Sequence, residues 1–220
     1  MNKKYILTWI FVIFCVITSF VTTNKRDEIK CYFNSSQNCL NLGNKYFELN
    51  QTQKAIEYFN KSCDLANLSA CYNLGIINEN GFGISKNKPK AMQFYKFACD
   101  NNFAKSCVNL SSIYQSNNAL KNDKEAFRLS QKACNLGEIA GCYNLGIFYT
   151  EGIGVNINGS LAIKYYEMSC EQNFANGCRN LAVLYQQGKF IKQDNQKSLK
   201  LHKKACDLGQ KMSCEKLNFK

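Results

Sequence analysis

The sequence predicts an all-α protein built from stacked helix pairs, in which one structural unit recurs along most of the chain. The first observation is an internal period: cysteine pairs begin at Cys63 and recur after 36, 35, 36 and 36 residues, up to Cys206. Periods of this length mark helical repeat architectures. The second observation is that apolar residues within each unit follow helical spacing, and no segment shows the alternation of a strand.

The N-terminal segment, residues 1–23, is predicted to target the chain for export. Lys3 and Lys4 precede an apolar run from Tyr5 to Val21, which is the layout of a secretory signal peptide. The run is also close to the shortest length that can span a membrane, so an uncleaved N-terminal anchor is the alternative. Cys15 lies inside the run and is interpreted as an ordinary apolar residue.

The remaining twelve cysteines form six pairs with identical spacing, C-x7-C. Because eight residues of unbroken helix rise about 12 Å, and bridged cysteines have Cα atoms within about 7 Å, a bridge requires a turn between the two. Asn and Gly residues in the intervening segments supply such turns. We predict six local disulfides, with free thiols as the alternative: Cys31–Cys39, Cys63–Cys71, Cys99–Cys107, Cys134–Cys142, Cys170–Cys178 and Cys206–Cys214.

The cysteines also indicate the compartment and argue against a metal site. Paired cysteines in an exported chain are typical of an oxidising compartment, so we expect a secreted or periplasmic protein. The C-x7-C spacing is not that of a zinc site, and the chain has one histidine, so neither a metal nor another cofactor is expected.

Two helices are predicted in each unit, and we call them helix A and helix B. Helix A begins at the second cysteine with the pattern C-x-N-L-small, as in Cys142 to Gly146. Helix B carries a small residue eight positions before the next cysteine, such as Ala162 before Cys170. The small residue of helix A lets another helix approach closely. We expect residues 24–38 to form an N-terminal cap, 39–214 five repeats and 215–220 a C-terminal tail.

The chain is strongly basic, with a formal net charge of +12. Such a charge favours acidic partners, anionic headgroups or cell-wall polymers, although a soluble lysine-rich surface is the alternative interpretation. Because the lysines are scattered along the helices rather than gathered in one tract, nucleic acid is not an expected partner. Membrane contact is expected only through an uncleaved N-terminus.

The repeat pattern resembles a known family. The unit of about 36 residues contains three motifs in order: Leu-Gly-x-x-Tyr, Gly-x-Gly (Gly152 to Gly154), and Lys-Ala with a following aromatic residue. This order resembles the Sel1-like repeat, a relative of the tetratricopeptide repeat. With C-x7-C added, it looks like the Helicobacter cysteine-rich protein family. The resemblance covers roughly Cys31 to Cys214 and implies a right-handed α/α superhelical solenoid, with each bridge joining neighbouring helices. Proteins of that family are often catalogued as β-lactamases or penicillin-binding proteins and described as secreted, host-interacting proteins.

A solenoid of this kind leaves an extended concave surface, which we expect helix A to line. The second residue after each A-helix cysteine is an asparagine, and an amide presents a donor and an acceptor together. A ladder of amides could hold the backbone of an extended peptide; alternatively, the asparagines cap or bridge helix ends. The candidate groove residues are Asn41, Asn73, Asn109, Asn144 and Asn180, with Tyr72 and Tyr143.

No catalytic residue is predicted. The sequence Ser85-Lys-Asn-Lys88 matches the S-x-x-K motif of serine β-lactamases, but neither S-D-N nor K-T-G accompanies it. His202, the one histidine, is expected to pack or to lie at the surface. We therefore predict an exported scaffold that binds a peptide, a protein or a peptidoglycan-like ligand. The alternative, β-lactam binding or hydrolysis, comes from the family resemblance alone.

Overall fold

The structure is a computed structural model that describes residues 25–116 and 121–218. The predicted signal peptide or anchor, residues 1–23, lies outside the described residues. A helical stretch over residues 25–32 precedes eleven further helices, and the described chain contains no strand. The helices are α1 (Ser36–Glu48), α2 (Thr52–Asp64), α3 (Leu68–Asn80), α4 (Lys88–Asp100), α5 (Ala104–Ser116), α6 (Asp123–Asn135), α7 (Ile139–Glu151), α8 (Gly159–Glu171), α9 (Ala175–Gln187), α10 (Asn195–Asp207) and α11 (Lys211–Asn218).

The odd-numbered helices are the predicted A helices, and the even-numbered ones are the B helices. The predicted all-α architecture of stacked helix pairs is confirmed among the described residues. Residues 215–218, which the sequence pattern places in the C-terminal tail, continue helix α11. The chain divides into two compact units, residues 1–98 and 99–220, so the boundary falls inside α4. No helix among the described residues has both the length and the apolar character needed to cross a bilayer.

Small residues on the A helices let the B helices pack at close range. A Cβ atom added to Gly75 would lie 2.4 Å from the ring of Tyr95, and one added to Gly146 would lie 2.5 Å from the ring of Tyr166. These distances are far below van der Waals contact, so only glycine fits beneath a tyrosine ring. The close approach that the C-x-N-L-small pattern predicts is therefore present.

The small residue near the start of each B helix is fully enclosed by the A helix before it. Ala55, Ala91, Ala126 and Ala162 have no exposed surface. The fifth B helix has Ser198 instead, and its hydroxyl donates to the carbonyl oxygen of Ala182 at 2.8 Å. A hydroxyl at this position is tolerated because a backbone acceptor lies within reach.

Each predicted disulfide is formed, with Cα–Cα distances between 4.5 and 4.9 Å. The turn that each bridge requires is made by a residue with positive φ between the two cysteines: Asn34, Ala66, Asn102, Gly137, Asn173 and Gly209. Most of the cysteines are buried, but Cys206 and Cys214 are both partly exposed. The last bridge, which attaches α11 to α10, is therefore the most accessible to solvent.

The turn from helix A to helix B packs on the start of the preceding B helix. Gly154 has φ +68°, and a Cβ there would lie 2.2 Å from the carbonyl oxygen of Asp123. The fifth repeat has Phe190 at the equivalent position, also with positive φ. Its ring occupies the space that a side chain on Gly159 would need, so a glycine at the start of α8 accommodates it.

Candidate ligand-binding site

Three clefts lie at equivalent positions in the repeat, where an A helix, its B partner and the following A helix meet. From Cys63 onward, the residue four positions before the first cysteine of each pair lies at this place in the repeat, and we call it the floor residue. The five floor residues are all at most 3% exposed: Phe59, Tyr95, Ser130, Tyr166 and His202. The clefts therefore share a frame and differ in the residue at their base.

The first-repeat cleft, in the N-terminal unit, is largely apolar. It encloses about 190 Å³ and is lined by Phe47, Phe59, Ile76 and Ile77, with Asn44 and Asn73 also lining it. The amide nitrogen of Asn73 donates to the side-chain oxygen of Asn44 at 3.1 Å. Such a cleft can accept an apolar side chain of a ligand beside a pair of amides.

The fourth-repeat cleft, in the C-terminal unit, has charges of both signs. It encloses about 330 Å³ and includes Glu151, Tyr166, Arg179 and Asn180 in its lining. The hydroxyl of Thr150 donates to the phenol oxygen of Tyr166 at 3.2 Å. Burial raises the pKa of the Tyr166 phenol, so this group stays protonated.

The fifth-repeat cavity, also in the C-terminal unit, has a histidine at its base. It encloses about 280 Å³ between α9, α10 and α11, and His202 and Lys216 line it together with Gln186, Asn195, Ser198 and Leu199. His202 is 3% exposed, and its Nδ1 lies 3.1 Å from Ser213 Oγ. Its Nε2 has no hydrogen-bond partner within the described part of the chain. Burial lowers the pKa of His202, and the positive charges of Lys216 and Arg179 lower it further.

The predicted asparagine ladder falls into two groups. Three of the asparagines form hydrogen bonds with other side chains. Asn41 accepts from Gln37 at 2.9 Å, and Asn73 donates to Asn44. Asn180 accepts from Arg179 at 3.2 Å and donates to Tyr143 at 3.5 Å. The amides of Asn109 and Asn144 are half-buried and make no hydrogen bond to any described residue. The bridging interpretation thus describes Asn73 and Asn180, while Asn109 and Asn144 keep their donors and acceptors available.

The two candidate groove tyrosines pack against the floor residues. The ring centroid of Tyr72 lies 5.9 Å from that of Tyr95. Tyr143 lies 6.1 Å from Tyr166 and 5.1 Å from Phe174, and burial raises its pKa. Both rings are half-buried, so they form walls beside the asparagines rather than projecting freely.

The S-x-x-K motifs do not assemble an accessible nucleophile. Ser85 is exposed in the turn before α4, and no described hydrogen bond joins it to a base. A second match, Ser213-Cys-Glu-Lys216, lies on α11. Ser213 has no exposed surface, so its hydroxyl is not accessible to a substrate. The hydroxyl contacts His202 instead. No group of three metal-ligating side chains occurs among the described residues.

Sequence reasoning did not single out His202 and Lys216 as site residues, although a signal was present. His202 occupies the position held by Phe59, Tyr95 and Tyr166 in other repeats. Lys216 is the second residue after Cys214, which is the position of the ladder asparagines. Aligning the repeats through the sixth cysteine pair places His202 at the floor position and Lys216 at the ladder position, which are positions that line the other clefts.

The helix pairs, the bridged junctions and the clefts between successive A helices define this chain as an α/α repeat protein. The family model described as "Sel1 repeat" matches it five times, over residues 39–67, 68–103, 104–138, 139–174 and 175–210. The chain belongs to the Sel1 repeat family.

Similar proteins agree with this assignment. The chain is 41% identical over 49 residues to a Helicobacter pylori (strain J99) protein named "Putative beta-lactamase HcpC", a match that covers 22% of this chain and 17% of that protein. This supports the resemblance to the Helicobacter cysteine-rich proteins. A solved Sel1 repeat protein from Oxalobacter formigenes superimposes with a TM-score of 0.77 at 25% identity, covering 82% of this chain and 74% of that one. A Sel1 repeat protein from Klebsiella pneumoniae shares the fold, with a TM-score of 0.54, 18% identity and coverage of 89% and 97%.

Proposed function

We propose that this protein is an exported Sel1 repeat scaffold that binds an extended peptide or protein segment along its A helices. The observation that carries the proposal is the pair of half-buried, unengaged amides of Asn109 and Asn144. They occupy the same position in successive A helices, α5 and α7. Each can donate to a peptide carbonyl and accept from a peptide N–H, which recognises the backbone irrespective of side chains.

The spacing of packed helices suits an extended ligand. Helices in contact lie about 8–10 Å apart, and a polyproline II chain rises about 3.1 Å per residue with three residues per turn. Equivalent asparagines on successive A helices would then meet every third residue of the ligand, on the same side of its chain. Half-buried tyrosine walls such as Tyr143 would exclude water from these hydrogen bonds.

Other features agree with a secreted binding module. Sel1 repeat proteins generally mediate protein–protein interactions. Six disulfides suit an oxidising compartment, and the basic N-terminal segment followed by an apolar run suits export. A peptidoglycan-like partner would present a backbone to the asparagines through its stem peptides. No observation on the described residues favours β-lactam hydrolysis.

The test compares the double variant Asn109→Ala, Asn144→Ala with the unmodified protein. The probe is the hexapeptide Ser-Ala-Ser-Ala-Ser-Ala, acetylated and amidated, so that only backbone groups and small side chains are presented. Each lost hydrogen bond is worth about 1 kcal/mol, so we expect binding measured by calorimetry to weaken about tenfold or more. The melting temperature should stay nearly unchanged, because these amides make no bond within the described structure.

A matched control is Asn156→Ala, an exposed asparagine in the turn between α7 and α8. Its affinity for the hexapeptide should equal that of the unmodified protein. Unchanged affinity in the double variant, or equal losses in the double variant and the control, would refute the role of Asn109 and Asn144.

A further inference from the structure

We propose that the fifth-repeat cavity is a carboxylate-binding site, which receives the C-terminal carboxylate of the peptide held by the ladder asparagines. The carboxylate site stands on the cavity itself, whereas its assignment to a peptide terminus rests on the proposed function. Lys216 and His202 are the groups that would contact the carboxylate, and both line the cavity.

The register of the repeat places an ammonium group where the other A helices carry an amide. Lys216 follows Cys214 by two residues, as Asn180 follows Cys178 and Asn144 follows Cys142. Lys216 is exposed, and its Nζ donates to the side-chain oxygen of Gln186, which also lines the cavity. The positive charge therefore stands beside the cavity and remains open to solvent.

The fifth-repeat cavity differs from the fourth-repeat cleft in having an imidazole instead of a phenol at its base. In the second and fourth repeats the tyrosine floor residue reaches the side chain four positions after the small residue of helix A: Tyr95 reaches Glu79 and Tyr166 reaches Thr150. Gln186 is the equivalent residue in the fifth repeat. The imidazole is shorter than a phenol and makes no bond to Gln186, so Nε2 has no hydrogen-bond partner among the residues that the structure describes.

The partners of the imidazole decide what the cavity can accept. When the Ser213 hydroxyl donates to Nδ1, the proton of the neutral ring lies on Nε2, which becomes a hydrogen-bond donor. In the opposite tautomer Nε2 would need a donor from the ligand, and a cationic donor would be repelled by Lys216. A ligand atom that satisfies both Lys216 and His202 is therefore an anionic acceptor, and Arg179 adds a further positive charge nearby.

The charge also fixes which end of a peptide would lie there. A peptide following Asn109, Asn144 and Asn180 reaches Lys216 with one of its ends, since these residues share one register. An N-terminal ammonium would be repelled, whereas a C-terminal carboxylate would form charge-assisted hydrogen bonds. The peptide would therefore run with its C terminus toward α11.

The single histidine makes a direct test possible, because the chain gives one imidazole signal by NMR. The probe is a decapeptide of alternating Ser and Ala, acetylated at its N terminus, because at three residues per A helix a chain of about nine residues is needed to reach from Asn109 to Lys216. It is titrated with a free C terminus and as its amide, and acetate is titrated separately at equal concentration. We expect the free acid to shift the His202 resonances and to raise the pKa of the imidazole. The amide should bind about tenfold more weakly, because it lacks the charge-assisted bond, and should leave this pKa unchanged.

Two variants and one control sharpen the test. Lys216→Gln should remove the preference for the free acid over the amide, whereas Lys211→Gln, an exposed lysine on the same helix, should keep it. The double change Ala182→Gly, His202→Tyr recreates the Gly146–Tyr166 pair and replaces the imidazole at the base of the cavity with a phenol. That variant should still bind the amide peptide through Asn109 and Asn144 while losing the preference for the free acid.

The outcomes separate this inference from the proposed function. Equal effects of the free acid and the amide on His202, or equal losses in Lys216→Gln and Lys211→Gln, would overturn the carboxylate site while leaving peptide binding intact. If acetate shifts His202 as strongly as the peptide does, the site binds small acids and its assignment to a peptide terminus is wrong. If acetate shifts His202 and no peptide binds, the carboxylate site stands and the proposed function fails.

Discussion

The first-repeat cleft and the fifth-repeat cavity occupy the same place in the repeat but offer opposite chemistry. Phe59, 1% exposed, lies at the base of the first, among Phe47, Ile76 and Ile77. The second has His202 at its base and Lys216 in its wall. The first-repeat cleft can accept an apolar side chain, whereas the fifth-repeat cavity is the proposed carboxylate site.

The comparison of the two clefts shows which positions of the repeat are kept and which positions vary. The enclosed small residues and the disulfides recur with little change, because any added atom would collide with the neighbouring helix. The floor residue varies between clefts, and the second residue after the A-helix cysteine is asparagine except at Lys216. Under the proposed function this second residue would set what a cleft binds, whereas the floor residue also contributes to the packing of the helices.

The largest expected effect comes from truncating the two floor residues. Phe59→Ala should cost about 3–5 kcal/mol of unfolding free energy, since it opens a void in a packed core. His202→Ala should cost less than half as much, because the imidazole is smaller and more polar than a phenyl ring and its Nε2 has no hydrogen-bond partner among the described residues. Urea denaturation of both variants measures the two free energies of unfolding. Equal losses of unfolding free energy would show that Phe59 and His202 contribute equally to the packing of their clefts.

The second effect concerns the bridge that attaches α11. Because Cys206 and Cys214 are partly exposed whereas Cys63 and Cys71 are buried, mild reduction should open the last bridge first. Replacing the last pair by serine should cost about 2.5 kcal/mol in the chain-entropy model and should weaken the contact of Ser213 with His202 and that of Lys216 with Gln186. Alkylation followed by mass spectrometry gives the order of reduction. Simultaneous labelling of both pairs would contradict it.

A third contrast concerns the small residue that faces the floor. Gly146→Ala should cost about 1–3 kcal/mol, since its Cβ would press against the ring of Tyr166. Ala182, the equivalent residue in the fifth repeat, already carries a Cβ above a smaller floor residue, and Ala182→Gly should cost about 1 kcal/mol or less. Thermal unfolding measures both changes. The pair Gly146→Ala, Tyr166→His should be less destabilised than Gly146→Ala alone if the ring is the cause.

The smallest effect is a dependence on pH that the first-repeat cleft cannot show. Burial, and then the charges of Lys216 and Arg179, hold the pKa of His202 below its ordinary value, which is about 6.5 in an unfolded chain. The stability that neutral His202 contributes is therefore complete above about pH 6.5 and declines as the pH falls below it, because the unfolded chain then binds the proton more readily. Melting temperatures between pH 7.5 and 5.5 should fall less in His202→Gln than in the unmodified protein. Parallel curves would contradict this.

Much of the fold could be predicted because its determinants are local and repeated. The cysteine period defined the unit, and the geometric limit on a disulfide required a turn between the cysteines, which Asn, Gly and Ala residues with positive φ provide. The glycine at position 75 or 146 predicts that another helix approaches closely, but the sequence does not show which residue of that helix it contacts. The partner ring lies twenty residues later, and only the packed structure shows that the two meet.

The candidate site was less predictable because it depends on which hydrogen bonds are already made. The sequence places five asparagines in one register but cannot distinguish Asn73, which bonds Asn44, from Asn144, which is free among the described residues. The role of His202 depends on Ser213, eleven residues away on the next helix. Such distinctions arise from side-chain partners across helices, which periodicity does not specify.

The C-x7-C bridges also change what a protease can do to this chain. A cut anywhere between the two cysteines of a pair leaves both fragments joined by the disulfide, as at Cys134–Cys142. A cut in the turn between an A helix and its B partner, such as residues 152–158, lies within no such ring. Partial digestion should therefore leave junction-nicked protein at full length on a non-reducing gel and reveal the cut only after reduction. Six of the loops between described helices, including the one between the helical stretch 25–32 and α1, can be nicked in this way without loss of covalent continuity.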